Sequence, residues 1–257
     1  MKKKIKEFFY DYKLLLRSVP GLVTCFFCLS VVIMNLMANK TIINTKFVAA
    51  DGGFLLSWIP FLCMDTVTKR YGPKAANKLT LLALLVNLFC VGVFAIVAAV
   101  EVKDSAAGET DFQAFNQTFA CTWFILLASS VAFLVSGIIN NILNWLIGRA
   151  FIKNPDGRVA YVTRSYVSTF IGQYIDNFIF AFLAFYVFAP IFWDGFQYSF
   201  LQVLGSAMLG AIIELFMEVV FSPIGYKVSK KWKDEGVGNE YIDYALRKEA
   251  EKTEEVI

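Results

Sequence analysis

The sequence predicts an all-α polytopic membrane protein, a bundle of six transmembrane helices with the N- and C-termini in the cytoplasm. Three observations predict it. First, 58% of the 257 residues are hydrophobic and only 18% are charged, where a soluble domain carries nearer about 25% charge. Second, uncharged stretches run from Ser18 to Ala38, Leu79 to Val100, Phe112 to Gly148 and Gly195 to Ile213, each long enough to cross a hydrocarbon core that needs roughly 20 helical residues. Third, with six spans, 21 of the 24 Lys and Arg residues fall on the side that holds both termini, and an excess of Lys and Arg marks the cytoplasmic side.

The spans are expected at 18–38, 47–65, 79–100, 119–147, 166–190 and 197–222. Lys2, Lys3, Lys4 and Lys6 precede the first as they would in a secretory signal, but the apolar run is too long and lacks a small-x-small cleavage site, so it reads as a span. The second contains Asp51, Gly52, Gly53 and Pro60. It is either a short interrupted helix, the kind that lines transporter sites with irregular backbone, or a helix that Gly-Gly simply starts. The 101–117 loop is acidic and the 190–196 turn has no basic residue, as expected of outer segments. Residues 1–228 therefore form the transport domain. The charged tail, 229–257, reads as a solvated helix or disordered end. Only Lys40, Lys46 and Lys103 lie outside, and an odd number of spans would break this alternation.

Composition also excludes function classes. The five cysteines all lie in apolar stretches and read as free, buried small hydrophobes rather than a disulfide framework or metal site. The absence of histidine removes the HExxH metalloprotease pattern, Ser-His-Asp triads and histidine proton relays. The net charge of +3 is a topology signal, since no basic stripe with interleaved aromatics suggests a nucleic-acid partner. No cofactor or metal is expected. Membrane lipid is the expected surrounding partner, and a homo-oligomer stays open.

A carboxylate at the centre of a membrane helix costs roughly 2.5–3.5 kcal/mol on insertion scales. Asp65, Asp176, Glu214 and Glu218 lie in or at the edges of spans and so need a reason to be there. Asp176 is the sharpest candidate, about 18 Å into the fifth span at 1.5 Å per residue. Thr169, Gly172 and Gln173 share its helix face, with Ser165 and Ser168 nearer the cytoplasm. That face lines a cavity or forms a helix–helix seam in which small residues pack closely. Ser129, Ser136, Asn140 and Asn144 repeat the pattern on the fourth span, and Ser206, Gly210, Glu214, Glu218 and Ser222 step by four along the sixth. With Asn35 and Asn39 at the end of the first span, these residues describe a polar interior that suits a hydrogen-bonding ring better than an ion.

The segments MANKTI at 37–42, GGFLLSWIPFLCMDTVTKRYG at 52–72 and RSYVSTFIGQYIDNFIFAFLAF at 164–185 resemble the queuosine precursor transporter family, also called the vitamin uptake transporter family. The match in order runs from the first span to the Ser-Pro at 222–223. The resemblance implies six spans and import of 7-deazaguanine bases. It also implies substrate-binding roles for Asn39, Asp65, Arg164, Ser168, Gln173 and Asp176, while Asn140, Glu214 and Glu218, read from the polar helix faces, are secondary candidates. Two positions depart from the family pattern: Lys69 stands where an acid is expected and Glu214 where a Lys is expected. The pair is either a charge-swapped ion pair or the mark of a subfamily with a different substrate.

The expected function is therefore a carrier for a small heterocyclic base in the bacterial cytoplasmic membrane. The alternative is a substrate-capturing subunit of an energy-coupled uptake complex, which would need an ATP-hydrolysing partner because the chain has no GxxxxGK[ST] phosphate loop. An intramembrane enzyme lacks a recognisable nucleophile, metal cluster or acid–base pair.

Overall fold

The computed structural model describes residues 2–100, 115, 116, 118–120, 122–150, 158–193 and 195–254. The described residues are mostly helical: α1 (Lys2–Ser18), α2 (Gly21–Met37), α3 (Trp58–Tyr71), α4 (Pro73–Ala99), α5 (Thr122–Ala150), α6 (Arg158–Ala181), α7 (Ala189–Phe192), α8 (Phe200–Asp234) and α9 (Asn239–Glu254). A small antiparallel hairpin, β1 (Thr41–Asn44) and β2 (Ala49–Asp51), pairs Thr41 with Asp51 and Asn44 with Ala49.

Four described helical segments are long and apolar enough to cross a membrane: Pro73–Ala99, Thr118–Ser136, Thr169–Phe192 and Phe200–Phe221. A fifth arises if α1 and α2, bent by 104° at Val19-Pro20, count as one broken span. The expected second span, 47–65, is not one helix. Its first residues belong to the hairpin, Gly52–Leu55 is a turn of 3₁₀-helix, and only at Trp58 does α3 begin. The interruption has a local cause. Asp51 sits in extended conformation and its Oδ1 accepts from Gly53 N at 2.7 Å, so its side chain caps the 3₁₀ turn. A side chain at Gly53 would bring a Cβ to 2.6 Å from the Met34 carbonyl, so only glycine lets the turn press against the end of α2.

The chain divides into two compact units, each assembled from separated segments. Unit 1 comprises 1–31, 59–85 and 219–257. Leu14, Leu15, Phe27, Val67, Leu79, Trp232 and Tyr241 form its core. Polar contacts fix the amphipathic α1 and the C-terminal α9 to it: Lys78 Nζ donates to Asp11 Oδ1 at 2.7 Å and to Tyr241 Oη at 3.1 Å, and Lys74 pairs with Glu249. Arg70 forks onto the Val237 carbonyl through Nε and Nη2 at 3.0 and 2.8 Å, with Asn239 Oδ1 at 2.6 Å. Burial pushes the Tyr71 phenol up to about 12, against the opposing pull of Arg70, so it keeps its proton and donates to the Ser18 carbonyl at 2.7 Å. Gly72, at φ 85°, lets α3 stop and Pro73 start α4.

The described residues after 229 are helical in the end of α8 and in α9, and α9 packs one side on the core of unit 1 while most of its described residues stay exposed. The 35-residue α8 runs on to Asp234, about 50 Å at 1.5 Å per residue and longer than a hydrocarbon core of about 30 Å. The apolar side of α9 is covered, with Tyr241 only 2% exposed. Of the described cysteines, Cys28, Cys63 and Cys90 are free and partly buried, while Cys25 is free but exposed rather than buried.

Unit 2 comprises 32–58 and 86–218. Phe124, Ile125, Ala128, Ala181, Ala184, Phe185, Tyr198 and Val203 form its core around the packed pair α5 and α6. Beyond Ala181 the helix widens to a π-helix over Phe182–Phe188 before α7. Widening changes which carbonyls find amides, and the return loop supplies donors: Tyr198 N to the Phe185 carbonyl at 3.1 Å and Gln197 Nε2 to the Tyr186 carbonyl at 3.0 Å. Tyr198 also stacks on Phe185 at 4.5 Å and shares a 3.1 Å hydrogen bond with Thr41 Oγ1, which ties the hairpin to this bend.

Candidate functional site

Helices α5, α6 and α8 bring one polar side chain after another into the interior of unit 2. From α5, Ser136 Oγ donates to Asp176 Oδ1 at 2.7 Å. On α6, one turn apart, Gln173 and Asn177 share a face, and Asn177 Nδ2 donates to the Gln173 carbonyl at 2.9 Å. The same nitrogen donates to Glu214 Oε2 of α8 at 2.9 Å. Ser57, just before α3, donates from Oγ to the Phe54 carbonyl at 3.2 Å and lies near Glu214. Glu214 is 5% exposed and Gln173 6%.

The electrostatics of the cluster are unbalanced. Asp176 and Glu214 are close enough to repel one another. Among the described residues no ion pair reaches either carboxylate. Gln173 Oε1 is buried with no hydrogen-bond partner. Buried polar atoms are ordinarily satisfied, and an unpaired one marks an unfilled role. The arrangement is rich in acceptors and short of donors, which suits a ligand that presents N–H groups.

A cleft adjoins this cluster through Asn177. Asp51, Phe54, Phe180, Ser206 and Gly210 line it, with the Ala49–Ala50 edge of the hairpin. It spans about 350 Å³ including its open mouth, but its enclosed part is only about 30 Å³, room for a water or two. Close packing keeps it narrow. A Cβ on Gly210 would fall 2.7 Å from Asn177 Cγ, and Ser206 Oγ bonds the Ala49 carbonyl.

The expected site residues distribute unevenly. Gln173, Asp176 and Glu214 belong to the cluster. Glu218 lies one turn beyond Glu214 on α8 and is partly buried. Asn39 is turned elsewhere: its Nδ2 donates to the Leu36 carbonyl at 2.9 Å and to Thr122 Oγ1 at 3.3 Å, while its Oδ1 is buried and unpaired. Asp65 lies on α3 in unit 1, Arg164 and Ser168 on α6, and Asn140 on α5, but their side chains lie outside the described residues. Of the two positions that depart from the family pattern, Glu214 accepts from Asn177 within unit 2, and Lys69 is exposed on α3 in unit 1. Sequence reasoning missed Ser57, Asn177 and Asp51 as site residues. Asn177 was findable, because it stands four residues after Gln173 on the same face. Ser57 was not, since its place depends on the break before α3.

No curated protein and no solved structure matches the chain. A family model described as "Putative vitamin uptake transporter" matches residues 51–228, from the cap of the 3₁₀ turn through the middle of α8. That match takes in most of the chain and every residue of the cluster, and the family it describes is one of transporters. The chain belongs to the vitamin uptake transporter family.

Proposed function

We propose that the protein imports a small planar heterocyclic base, a queuosine precursor of the 7-deazaguanine class such as preQ0, preQ1 or queuine, across the bacterial cytoplasmic membrane through six spans with both termini inside. The observation that carries this reading is the donor-poor cluster in unit 2, where Asp176, Glu214 and the unpaired Gln173 Oε1 collect without a basic partner among the described residues. A guanine-like edge presents adjacent N–H donors that one carboxylate accepts together, and an amide turned the other way meets the ring carbonyl. Phe54 and Phe180 offer flat walls in the adjoining cleft.

In this reading Asp176 anchors the base and Gln173 assists. Ser168, Arg164, Asn39 and Asp65 are assigned by the family resemblance, with Asn140, Glu214 and Glu218 secondary. The narrow cleft is a closed state, and the base enters when the elements around it part, as alternating access requires.

The test is uptake of labelled bases by cells that lack their own carrier and their own synthesis of the precursor, read out as queuosine in transfer RNA. The reading predicts queuosine only when this chain is present. Uptake by protein-only liposomes separates a self-sufficient carrier from a capturing subunit, which would bind the base without moving it. Binding of an unrelated vitamin but no 7-deazaguanine would leave the family and remove the substrate.

A further inference from the structure

We propose that the exposed stripe of α1 is a docking surface for anionic lipid at the bilayer surface. The proposal rests on α1 and its junction with α2, and does not depend on which base is carried.

The 17 residues of α2 carry no charged side chain and reach about 26 Å, close to the thickness of a hydrocarbon core. α1 turns away from it by 104° at Val19-Pro20. When α2 crosses the membrane, α1 therefore runs nearly along its surface. It cannot continue the span, because it carries Lys6, Glu7, Asp11, Lys13 and Arg17, each costly in hydrocarbon.

The faces of α1 are sorted for that position. At about 100° per residue, Leu14, Leu15 and Ser18 gather on one side. Those three are buried against the core of unit 1. On the opposite side Ile5 and Phe9 form an apolar edge, 49% and 65% exposed. Lys6, Lys13 and Arg17 form the adjacent strip, separated from one another by only about 40°, and all three are exposed. The acids lie away from it, and Asp11 is already engaged by Lys78 and Lys248.

Apolar side chains beside a strip of cations fit the boundary between acyl chains and anionic headgroups: rings and aliphatics enter while the Lys and Arg stems reach up to phosphate. A soluble partner that buried Ile5 and Phe9 would not need three cations beside them. Anionic lipid answers both features together.

The experiment uses the full chain in nanodiscs of phosphatidylcholine with about one part in three phosphatidylglycerol, an anionic lipid of the kind basic strips attract. A photo-crosslinking benzoylphenylalanine replaces Phe9, and adducts are identified by mass spectrometry. Each basic side chain near the surface is worth about fivefold, so the ratio of phosphatidylglycerol to phosphatidylcholine adducts should exceed the ratio of the two lipids in the disc by at least about fivefold. The triple change Lys6→Gln, Lys13→Gln and Arg17→Gln should return the adduct ratio to that of the disc while lipid adducts persist. These positions are exposed, so folding is preserved, and co-elution with wild type confirms it. Adducts to a second copy or another protein, or none, would overturn the proposal. So would lipid adducts with no anionic enrichment, or an enrichment the triple change leaves intact.

Discussion

Asn177 Nδ2 donates to Glu214 Oε2 at 2.9 Å, and this bond from α6 to α8 holds a buried carboxylate that has no basic partner among the described residues. Asn177→Ala removes the hydrogen bond that Glu214 receives among the described residues. An uncompensated buried acceptor costs about 1–3 kcal/mol, more when charged. The thermal midpoint of the purified protein should fall accordingly. Adding Glu214→Gln to Asn177→Ala should recover part of the loss, because the amide needs no charge compensation. Equal losses for single and double variants would show that the bond contributes nothing of its own.

Gly210 leaves room for that same amide. A Cβ there would stand 2.7 Å from Asn177 Cγ and Oδ1. Gly210→Ala should therefore destabilise by about 1–3 kcal/mol through overpacking and displace Asn177 from Glu214. Gly92 on α4 has nothing within 4 Å of its Cβ position. Gly92→Ala should be neutral or stabilise by up to about 1 kcal/mol, as helix propensity alone dictates. Thermal melts of the two variants in the same detergent decide it, and equal behaviour would remove the steric account.

Arg70 holds the turn before α9 by donating from Nε and Nη2 to the Val237 carbonyl, with Asn239 alongside. A lysine cannot reproduce this fork. Arg70→Lys should loosen the junction by about 1–2 kcal/mol and speed proteolysis between Asp234 and Asn239. Unchanged digestion kinetics would mean the packing of Tyr241 and Trp232 suffices.

The apolar spans and the deep acids were legible in the sequence because hydropathy and charge are local. Helix α4 and the apolar stretch of α8 fall where uncharged runs placed them, and Asp176 lies with Gln173 in the interior as helical spacing required. The hairpin was not legible. Its strands are four and three residues long, shorter than any useful alternation, and it depends on Asp51 capping and on glycines pressed against α2. Nor did periodicity reveal that α9 docks, since its 16 residues are mostly polar and its anchoring comes from Arg70 and Lys78, far away in sequence. Asn177 lay in plain view beside Asp176, but its partner on α8 is set by packing alone.

The six-span topology is tested with fused reporters. A reporter after Ile257 and one within 69–78 should both give a cytoplasmic signal, because Lys and Arg gather in those segments. One within 104–114, where acids predominate, should report the outside. A cytoplasmic signal from 104–114 would require a different number of crossings before α5.

Asp176 carries the most specific expectation. Among the described residues it receives one hydrogen bond, from Ser136 Oγ at 2.7 Å, and a carboxylate has further acceptor sites for a ligand. Asp176→Asn keeps the shape and one acceptor but places an N–H where a base also donates. The mismatch leaves a buried donor unpaired, worth about 1–3 kcal/mol or roughly 5–150-fold in affinity. Ser136 adapts, since a hydroxyl can accept from the new amide as well as donate, so insertion and accumulation should match wild type. Uptake of labelled base should collapse. Ser136→Ala supplies the comparison: it removes the one donor but leaves the carboxylate, so binding should change by less than in Asp176→Asn. If Asp176→Asn membranes bind and import the labelled base at wild-type levels, Asp176 is a packing residue and the anchor must be sought elsewhere in the cluster.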